Sequence, residues 1–349
     1  MFLPASRPHI LRFSTGALAL LSLACGSTYR LDSLPPALGD DEFWRVSTEF
    51  SEPAGAFAHS DNLVSNELEF ANTISVLRRR PGAYIGVGPE QNFSYIARIR
   101  PDIAFIVDIR AENRSLHLLY KALFELSSDR ADFVSRLFSR PRPAELSADA
   151  PVRELFARYA DMPPSRALLD STRQMVREHL LETHAFRVSG EELAWIDRCL
   201  DEFFTEGPGI RYASAGSDPS ARPTYRALMT ATDIKDQPRS YLATDDGFAF
   251  VKRLQTNNLI VPIVGDFAGP TAIRRVGDYV RQHGGLVGAF YSSNVEVYLS
   301  KEQSAAFCAN LDALPSSPQT WFIHGKGMRL LPAKLAGCFF KRGPPLTDR

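Results

Sequence analysis

The residues best suited to ligand chemistry lie in the turn IGVGPEQNF at 85–93 and at Asp108. Gly86 and Gly88 let the backbone turn sharply and approach a ligand, and the N–H groups at the start of the following helix, which includes Asn92, can bind an anion. Asp108 follows Gly86 by 22 residues, close to the spacing of about 20 at which an acid reaches a ribose hydroxyl. These residues predict a nucleoside-binding site, with a plain strand–helix turn and a solvated Asp108 as the alternative.

A second group of candidates lies in the segment HSDNLVSNE at 59–67. Spaced apolar residues predict a helix over about 61–79, and Glu67 falls on its apolar face. A carboxylate on such a face must be paired or face a polar cavity, because burying it alone is costly. Glu67, with Asn62 and Asn66 beside it, therefore indicates either a polar pocket or a helix cap with Glu67 paired to an arginine.

The elements around these residues predict an α/β fold. AYIGVG at 83–88 and IAFIVDIR at 103–110 are continuous apolar runs, which is typical of strands covered on both faces in a parallel sheet. Residues 111–205 are mostly helical in pattern and 206–250 look irregular, and together they form a helical insertion of about 111–250. Strands resume with LIVPIV at 259–264 and LVGAFY at 286–291. We expect a doubly wound, mostly parallel Rossmann-like sheet with a large helical insertion.

Polar residues also follow the later predicted strands. Asp266 comes just after LIVPIV, and Tyr291, Ser293 and Asn294 lie at or just beyond the end of LVGAFY. Ligands of open α/β sheets bind beyond the carboxyl ends of the strands. We therefore expect these four residues to lie at the same edge of the sheet as the glycine turn, the stretch at 85–93 that contains Gly86 and Gly88.

The turn IGVG, the acid of IAFIVDIR, VGDFAG and SSNV together resemble the S-adenosylmethionine-dependent methyltransferases of the Rossmann-like class. The resemblance implies that the glycine turn holds the methionine end of the cofactor, that Asp108 binds its ribose and that Asp266 lies by its adenine. It also implies that Glu67 meets the cationic methionine end, and that the residues after LVGAFY border the methyl acceptor. Gln91 stands where the dinucleotide fingerprint has its third glycine, which disfavours NAD and FAD.

At closer range the chain resembles a family of uncharacterised bacterial proteins, some of which are described as lipoproteins. The resemblance is carried by blocks that span about 50–300, namely FSEPAGAFAHSDNLVSNE, YIGVGPEQNFSYIARIRPDIAFIVDIR, HLLYKALFELSSDRADFVSRLFSRPRP, LIVPIVGDFAGPTAIRRVG and AFYSSNVEVYL. It implies the α/β fold and supplies no activity.

The first twenty-five residues differ in composition from the rest. Arg7 and Arg12 precede an uncharged apolar stretch, FSTGALALLSLA at 13–24, which is too short to span a bilayer. The motif SLAC ends this segment at Cys25. The pattern predicts a signal peptide over 1–25 with lipidation of Cys25, and hence an exported cell-envelope lipoprotein anchored in the lipid bilayer. The alternatives are a buried N-terminal segment and a misassigned start, and in the second case the protein would be cytoplasmic.

Behind this leader we interpret 26–58 as a tether and irregular lead-in, 59–335 as one methyltransferase-like domain and 336–349 as a loose tail. The sequence contains 40 basic and 40 acidic residues, which argues against binding nucleic acid through a broad basic face. The other three cysteines are widely spaced and no Cys/His ligand cluster is present, so we expect no metal site.

Two functions compete at this point. The leading hypothesis is a methyltransferase-like protein that binds S-adenosylmethionine or a related nucleoside, with an acceptor and an oligomeric state that the sequence does not specify. The rival is a membrane-anchored envelope lipoprotein that uses the α/β fold as a non-catalytic scaffold. The two conflict, because S-adenosylmethionine is made in the cytoplasm and an exported enzyme has no evident supply of it.

Overall fold

The apolar runs form a six-stranded sheet whose central strands are covered on both faces. The computed structural model describes Met1 and residues 33–55, 57, 62–160, 162–212, 219–324 and 327–330. The strands are β1 (Ala83–Gly86), β2 (Ile103–Asp108), β3 (Ile260–Val264), β4 (Val287–Ser293), β5 (Ser316–His324) and β6 (Gly327–Leu330). Every residue of the first three is buried, which explains why their sequences do not alternate.

The strands lie in the order β3-β2-β1-β4-β5-β6. The first five are parallel, and β6 pairs antiparallel with β5. The chain moves outward from β1 to β3 and then returns to the other side of β1, so that the order reverses between β1 and β4. This is the strand order of the Rossmann fold, and the predicted mostly parallel sheet is confirmed.

Twelve α-helices surround the sheet within the described residues. They are α1 (Asp40–Glu49), α2 (Phe70–Val76), α3 (Gln91–Ile99), α4 (Ala111–Leu126), α5 (Arg130–Phe138), α6 (Val152–Ala160), α7 (Arg166–Glu178), α8 (Gly190–Glu206), α9 (Tyr225–Met229), α10 (Asp245–Thr256), α11 (Ala272–Gln282) and α12 (Lys301–Ala313). Seven of them, α4 to α10, lie between β2 and β3 in the chain, which confirms the helical insertion. The short helix α9 and the first half of α10 lie within 206–250, the stretch that looks irregular in sequence.

Helices cover both faces of the sheet. Right-handed crossovers, the rule for parallel strands, put the connections of the β1-β2-β3 half on one face and those of the β3-β4-β5 half on the other. The contacts agree with this, since α10 packs on α3 and α4 while α11 packs on α12. Aromatic rings pack between α3, α4 and α10. Phe124 lies edge-to-face on Phe93 and stacks on Phe248, in both cases with 5.2 Å between the ring centroids.

The predicted helix over 61–79 is wrong in its first part. Residues 62–69 form no helix, and α2 covers only Phe70–Val76. Several polar groups of this segment bond to other elements, as the Ser65 N–H does with the side chain of Glu90 and the Glu67 carboxylate does with Gln91 and Tyr291. Side chains that compete with the backbone for hydrogen bonds weaken a helix, and here they hold the segment across the edge of the sheet.

The predictions for the amino terminus fall outside the described residues. Cys25 and the rest of 2–32 are among the positions that the structure does not describe. None of the described helices combines the length and the apolar character that crossing a bilayer requires.

Candidate functional site

The turn between β1 and α3 is shaped by Gly86, Gly88 and Asn92. A Cβ atom on Gly86 would lie 2.0 Å from Asn92 Oδ1, so only glycine fits there. Gly88 has a φ of 80°, which favours glycine, and the space beside its Cα is open. The buried Nδ2 of Asn92 lies 2.8 to 3.0 Å from three carbonyl oxygens of the turn. Gly86 and Asn92 therefore build the turn, and Gly88 is the glycine with room beside it for a ligand.

His117 of α4 forms a hydrogen bond to the same turn. Its buried ring places Nε2 2.9 Å from the carbonyl oxygen of Gly88. Burial lowers the pKa of His117 to about 4, so the imidazole is neutral at physiological pH and Nε2 can donate to this carbonyl.

Glu90 connects the turn to the segment 62–67. Its carboxyl group is completely buried, and the Ser65 N–H lies 3.1 Å from each of its oxygens. Burial raises the pKa of Glu90 to about 8, which makes the protonated acid the main form at neutral pH. This tie places Asn66 and Glu67 next to the glycine turn.

Asp108 ends β2 and forms a buried ion pair with Arg110. Arg110 donates to Oδ1 from its backbone N–H and from Nε, at 3.0 and 2.9 Å, and to Oδ2 from Nη2 at 2.9 Å. The Gly88 N–H donates to Oδ2 at 3.2 Å. Burial disfavours the guanidinium charge, but Asp108 raises the pKa of Arg110 above its ordinary value. Asp108 thus joins β2 to the glycine turn and fixes Arg110 in place.

Glu67 receives hydrogen bonds from α3 and β4. Gln91 Nε2 and the Tyr291 hydroxyl each donate to Oε2 at 3.0 Å, and the Ser293 hydroxyl donates to Oε1. Burial, followed by the charge of Glu67, raises the pKa of Tyr291 well above its ordinary value, so the hydroxyl keeps its proton. Within the described part of the chain Glu67 forms no ion pair with an arginine, and the polar-pocket interpretation is the one that the contacts support.

The loop after β3 carries Asp266 and is held by Glu52. The Glu52 carboxylate accepts hydrogen bonds from the N–H groups of Asp266, Thr271 and Ala272 at 3.2, 2.6 and 2.7 Å. Burial disfavours its charge, but these backbone donors lower the pKa of Glu52 below its ordinary value. Glu52 thus satisfies the N–H groups at the start of α11, and Asp266 lines the cavity beyond β3 while its Oδ1 accepts a hydrogen bond from the Ala268 N–H at 2.8 Å.

These elements enclose a cavity of about 350 Å³ at the carboxyl edge of the sheet. The volume is within the range of sites for small molecules. The cavity lies at the point where the strand order reverses, between the ends of β1 and β4. Nine of the residues selected from the sequence line it, namely Asn62, Asn66, Glu67, Gly88, Asp108, Asp266, Tyr291, Ser293 and Asn294.

The lining of the cavity has more carboxylates than cations. Its charged side chains are Glu67, Asp108 and Asp266 against Arg110. Asn62, which also lines the cavity, has a buried Oδ1 that accepts no hydrogen bond from the described residues. The cavity therefore suits a ligand that carries positive charge and at least one hydrogen-bond donor.

Sequence analysis missed several residues of the cavity wall. Arg110 follows Asp108 by two positions, and Phe57 and Tyr212 add aromatic surface from segments that carry no motif. The only signal for Arg110 is a cation next to a strand-terminal acid, which is common in plain turns. Phe57 and Tyr212 reach the cavity through tertiary packing alone, which periodicity does not report.

Groups that could hold a metal lie away from the cavity. Glu125, His179 and His184 place one ligand atom each within 4.8 Å of one another. None of the three lines the cavity. Sequence analysis did not connect them, because Glu125 and His179 are 54 positions apart in the chain.

The fold is that of a Rossmann-like α/β protein, and its cavity lies at the switch point of the sheet, the place where the strand order reverses. The model of the family described as "Domain of unknown function (DUF7790)" matches residues 62–199 and 214–331. These stretches make up well over half of the chain, so the chain belongs to this family. No protein of curated function matches the chain.

Proposed function

We propose that the cavity binds S-adenosylmethionine, or a nucleoside of similar charge, and that the protein is methyltransferase-like with an acceptor still to be identified. The observation that carries the proposal is the convergence of nine residues on one cavity at the switch point of the sheet. The sequence predicts them partly from residue type and spacing and partly from the resemblance to the methyltransferases, which is what points to Tyr291 and Ser293. A ligand site at this point of an open α/β sheet is the rule rather than the exception.

Charge favours this ligand over a dinucleotide. S-adenosylmethionine carries a sulfonium and an ammonium group, whereas NAD and FAD carry a pyrophosphate. The excess of carboxylates in the lining attracts the former and repels the latter. In the proposed complex the Glu67 carboxylate, held by Gln91 and Tyr291, lies beside the cationic methionine end.

Asp108 has a modified role in this proposal. Its two oxygens already accept four hydrogen bonds, which is the capacity of a carboxylate. Asp108 therefore acts mainly by holding Arg110 and Gly88 at the cavity wall. For Asp108 to accept a hydrogen bond from a ribose hydroxyl, one of these four bonds must break. The bond from the Gly88 N–H is the longest, at 3.2 Å.

The chemistry that such a site supports needs little more than positioning. In methyl transfer a lone pair of the acceptor forms a bond to the methyl carbon, and the bonding pair stays on sulfur to give the neutral thioether. Holding the two reactants in line supplies much of the rate. In the proposed complex Ser293, which ends β4, and Asn294, which follows it, border the acceptor, since both line the cavity.

Calorimetric titration of the full chain with S-adenosylmethionine and S-adenosylhomocysteine tests the proposal. We expect saturable binding of both, and a 5- to 30-fold loss of S-adenosylmethionine affinity in Glu67→Gln, equivalent to about 1–2 kcal/mol. S-adenosylhomocysteine is a thioether without the sulfonium charge, so Glu67→Gln should lower its affinity less than that of S-adenosylmethionine.

Glu69→Gln is the matched control, because Glu69 is exposed and lies outside the cavity only two positions away. An absence of heat with either ligand at high concentration refutes the proposal and favours the scaffold hypothesis. Equal affinity in the Glu67 and Glu69 variants refutes the role of Glu67 even if binding occurs.

A further inference from the structure

A cluster of metal-ligand side chains joins the end of α4 to the turn that follows α7. Oε2 of Glu125 lies 2.5 Å from His179 Nε2 and 2.7 Å from His184 Nε2. All three side chains are largely buried, with exposed fractions of 7% for Glu125, 16% for His179 and 10% for His184. Two imidazole nitrogens and a carboxylate oxygen thus point at one another from two separate elements.

The backbone between the histidines has the geometry that brings them together. Residues His179–Thr183 form a π-helical turn, and the His184 N–H donates to the His179 carbonyl oxygen at 3.1 Å. Residues five apart face different directions on an α-helix but the same direction on a π-turn. Such turns are rare and occur often at functional sites. Here the turn places both imidazoles over Glu125.

Asp40 orients one of the two imidazoles. Asp40 Oδ1 lies 2.6 Å from Nδ1 of His184 and accepts a hydrogen bond from Asn258 Nδ2 at 2.9 Å. Asn258 is held at a φ of 58°, a left-handed conformation that is uncommon for a residue other than glycine. Metal-binding histidines characteristically donate their second ring nitrogen to a carboxylate in this way, which fixes the ring and its tautomer.

Lys121 constrains how Glu125 can bind a cation. Its Nζ lies 2.6 Å from Oε1 of Glu125 and also contacts the side chain of Asn258. Oε1 is therefore occupied, and Oε2 is the oxygen directed at the histidines. Glu125 can bind a metal through one oxygen while the other keeps its hydrogen bond, an arrangement common among ligating carboxylates.

We propose that Glu125 Oε2, His179 Nε2 and His184 Nε2 bind a divalent zinc-type cation, with Asp40 orienting His184. Two imidazoles and a carboxylate are a ligand set that suits Zn²⁺ and its neighbours, and a water molecule completes a tetrahedral site. The site is separate from the switch-point cavity, since none of these residues lines it. It fastens α1, α4 and the π-turn to one another, and so stabilises the helical connection between β2 and β3.

Zinc titration of the full chain, prepared without a polyhistidine tag and stripped of metal, tests this site. We expect one Zn²⁺ per chain, a rise in melting temperature on binding, and intense visible absorption bands when Co²⁺ replaces Zn²⁺. His179→Gln or Glu125→Gln is expected to lower the affinity by more than about tenfold. Asp40→Asn, which removes only the orienting carboxylate, is expected to lower it by about 10- to 100-fold.

Two matched variants control for general effects. Glu182→Gln alters an exposed carboxylate in the same turn. His283→Gln alters a histidine just after α11 whose ring, within the described part of the chain, bonds to the carbonyl oxygen of Tyr279. Both should keep wild-type affinity. Circular dichroism reports whether each variant folds. If His179→Gln and Glu125→Gln do not fold, the Co²⁺ spectrum of the wild type tests the site by itself. Weak bands of a six-coordinate ion, or Zn²⁺ affinity unchanged in a folded His179→Gln, overturn the proposal.

Discussion

Replacing Glu90 by glutamine should change how the stability of the protein depends on pH. Burial raises the pKa of Glu90 from 4.5 to about 8, so the folded state holds the carboxyl proton more tightly than the unfolded state. The stability contributed by the protonated group is complete below about pH 4.5 and is lost as the pH rises to about 8. At about 1.4 kcal/mol per pKa unit, the whole effect is about 5 kcal/mol.

Glutamine keeps an acceptor for the Ser65 N–H and has no proton to lose. The free energy of unfolding of Glu90→Gln, relative to wild type, should therefore rise by up to about 1.4 kcal/mol per pH unit between about pH 5 and 8 and then level off. Urea unfolding of both chains at about pH 5, 6, 7, 8 and 9 measures this difference. Groups that titrate alike in the two chains cancel.

Glu69→Gln serves as the control for the same series, because Glu69 is exposed on the same stretch of chain. Its difference from wild type should stay small, within about 0.5 kcal/mol, at every pH. A Glu90→Gln difference that does not vary with pH would show that Glu90 is charged or well solvated in the folded state. The conclusion that Glu90 is a buried, protonated carboxyl group would then be wrong.

Two further outcomes follow from the packing around the cavity. Gly86→Ala should destabilise the fold by about 1–3 kcal/mol in urea unfolding, because its Cβ would lie 2.0 Å from Asn92 Oδ1. Gly190→Ala, where no atom lies within 4 Å of the added Cβ, is the control, and equal losses in the two variants would contradict the crowding at Gly86. Glu52→Gln should lower the melting temperature most near neutral pH and least near pH 4, because the lowered pKa of Glu52 means that its contribution is present above about 4.5 and is lost as the pH falls. A loss of equal size at both pH values would count against the carboxylate as the group that holds α11.

The sheet edge could be predicted because local sequence reports on it. Continuous apolar runs identify strands covered on both faces, and the carboxyl ends of parallel strands meet at one edge. Asp108 and Asp266 each follow such a run, so their presence in one cavity followed from the order of elements alone. The helical character of the connection over 111–205 was predictable from periodicity in the same way, whereas α9 and the start of α10 lie in a stretch rich in Gly, Pro, Ser and Asp that predicts no helix.

The contacts that define the site could not be predicted, because they join residues that are distant in sequence. The spacing of apolar residues such as Leu63 and Phe70 predicts a helix through Glu67. Hydrogen bonds from Gln91 and Tyr291 to Glu67 instead hold that segment in a non-helical conformation. Tertiary hydrogen bonds here outweigh a local helical pattern. The Glu125 cluster depends on a π-turn meeting another helix, for which helical periodicity gives no signal.

Hydrogen–deuterium exchange of the full chain with and without saturating S-adenosylmethionine tests whether the cavity is the ligand site, because it reports binding and location together. We expect slower exchange in 62–67, 86–90, 264–268 and 291–296 at once, four segments that each carry residues of the cavity wall, with no change in 179–184. Unchanged exchange throughout, or protection confined to segments outside the cavity, would contradict it.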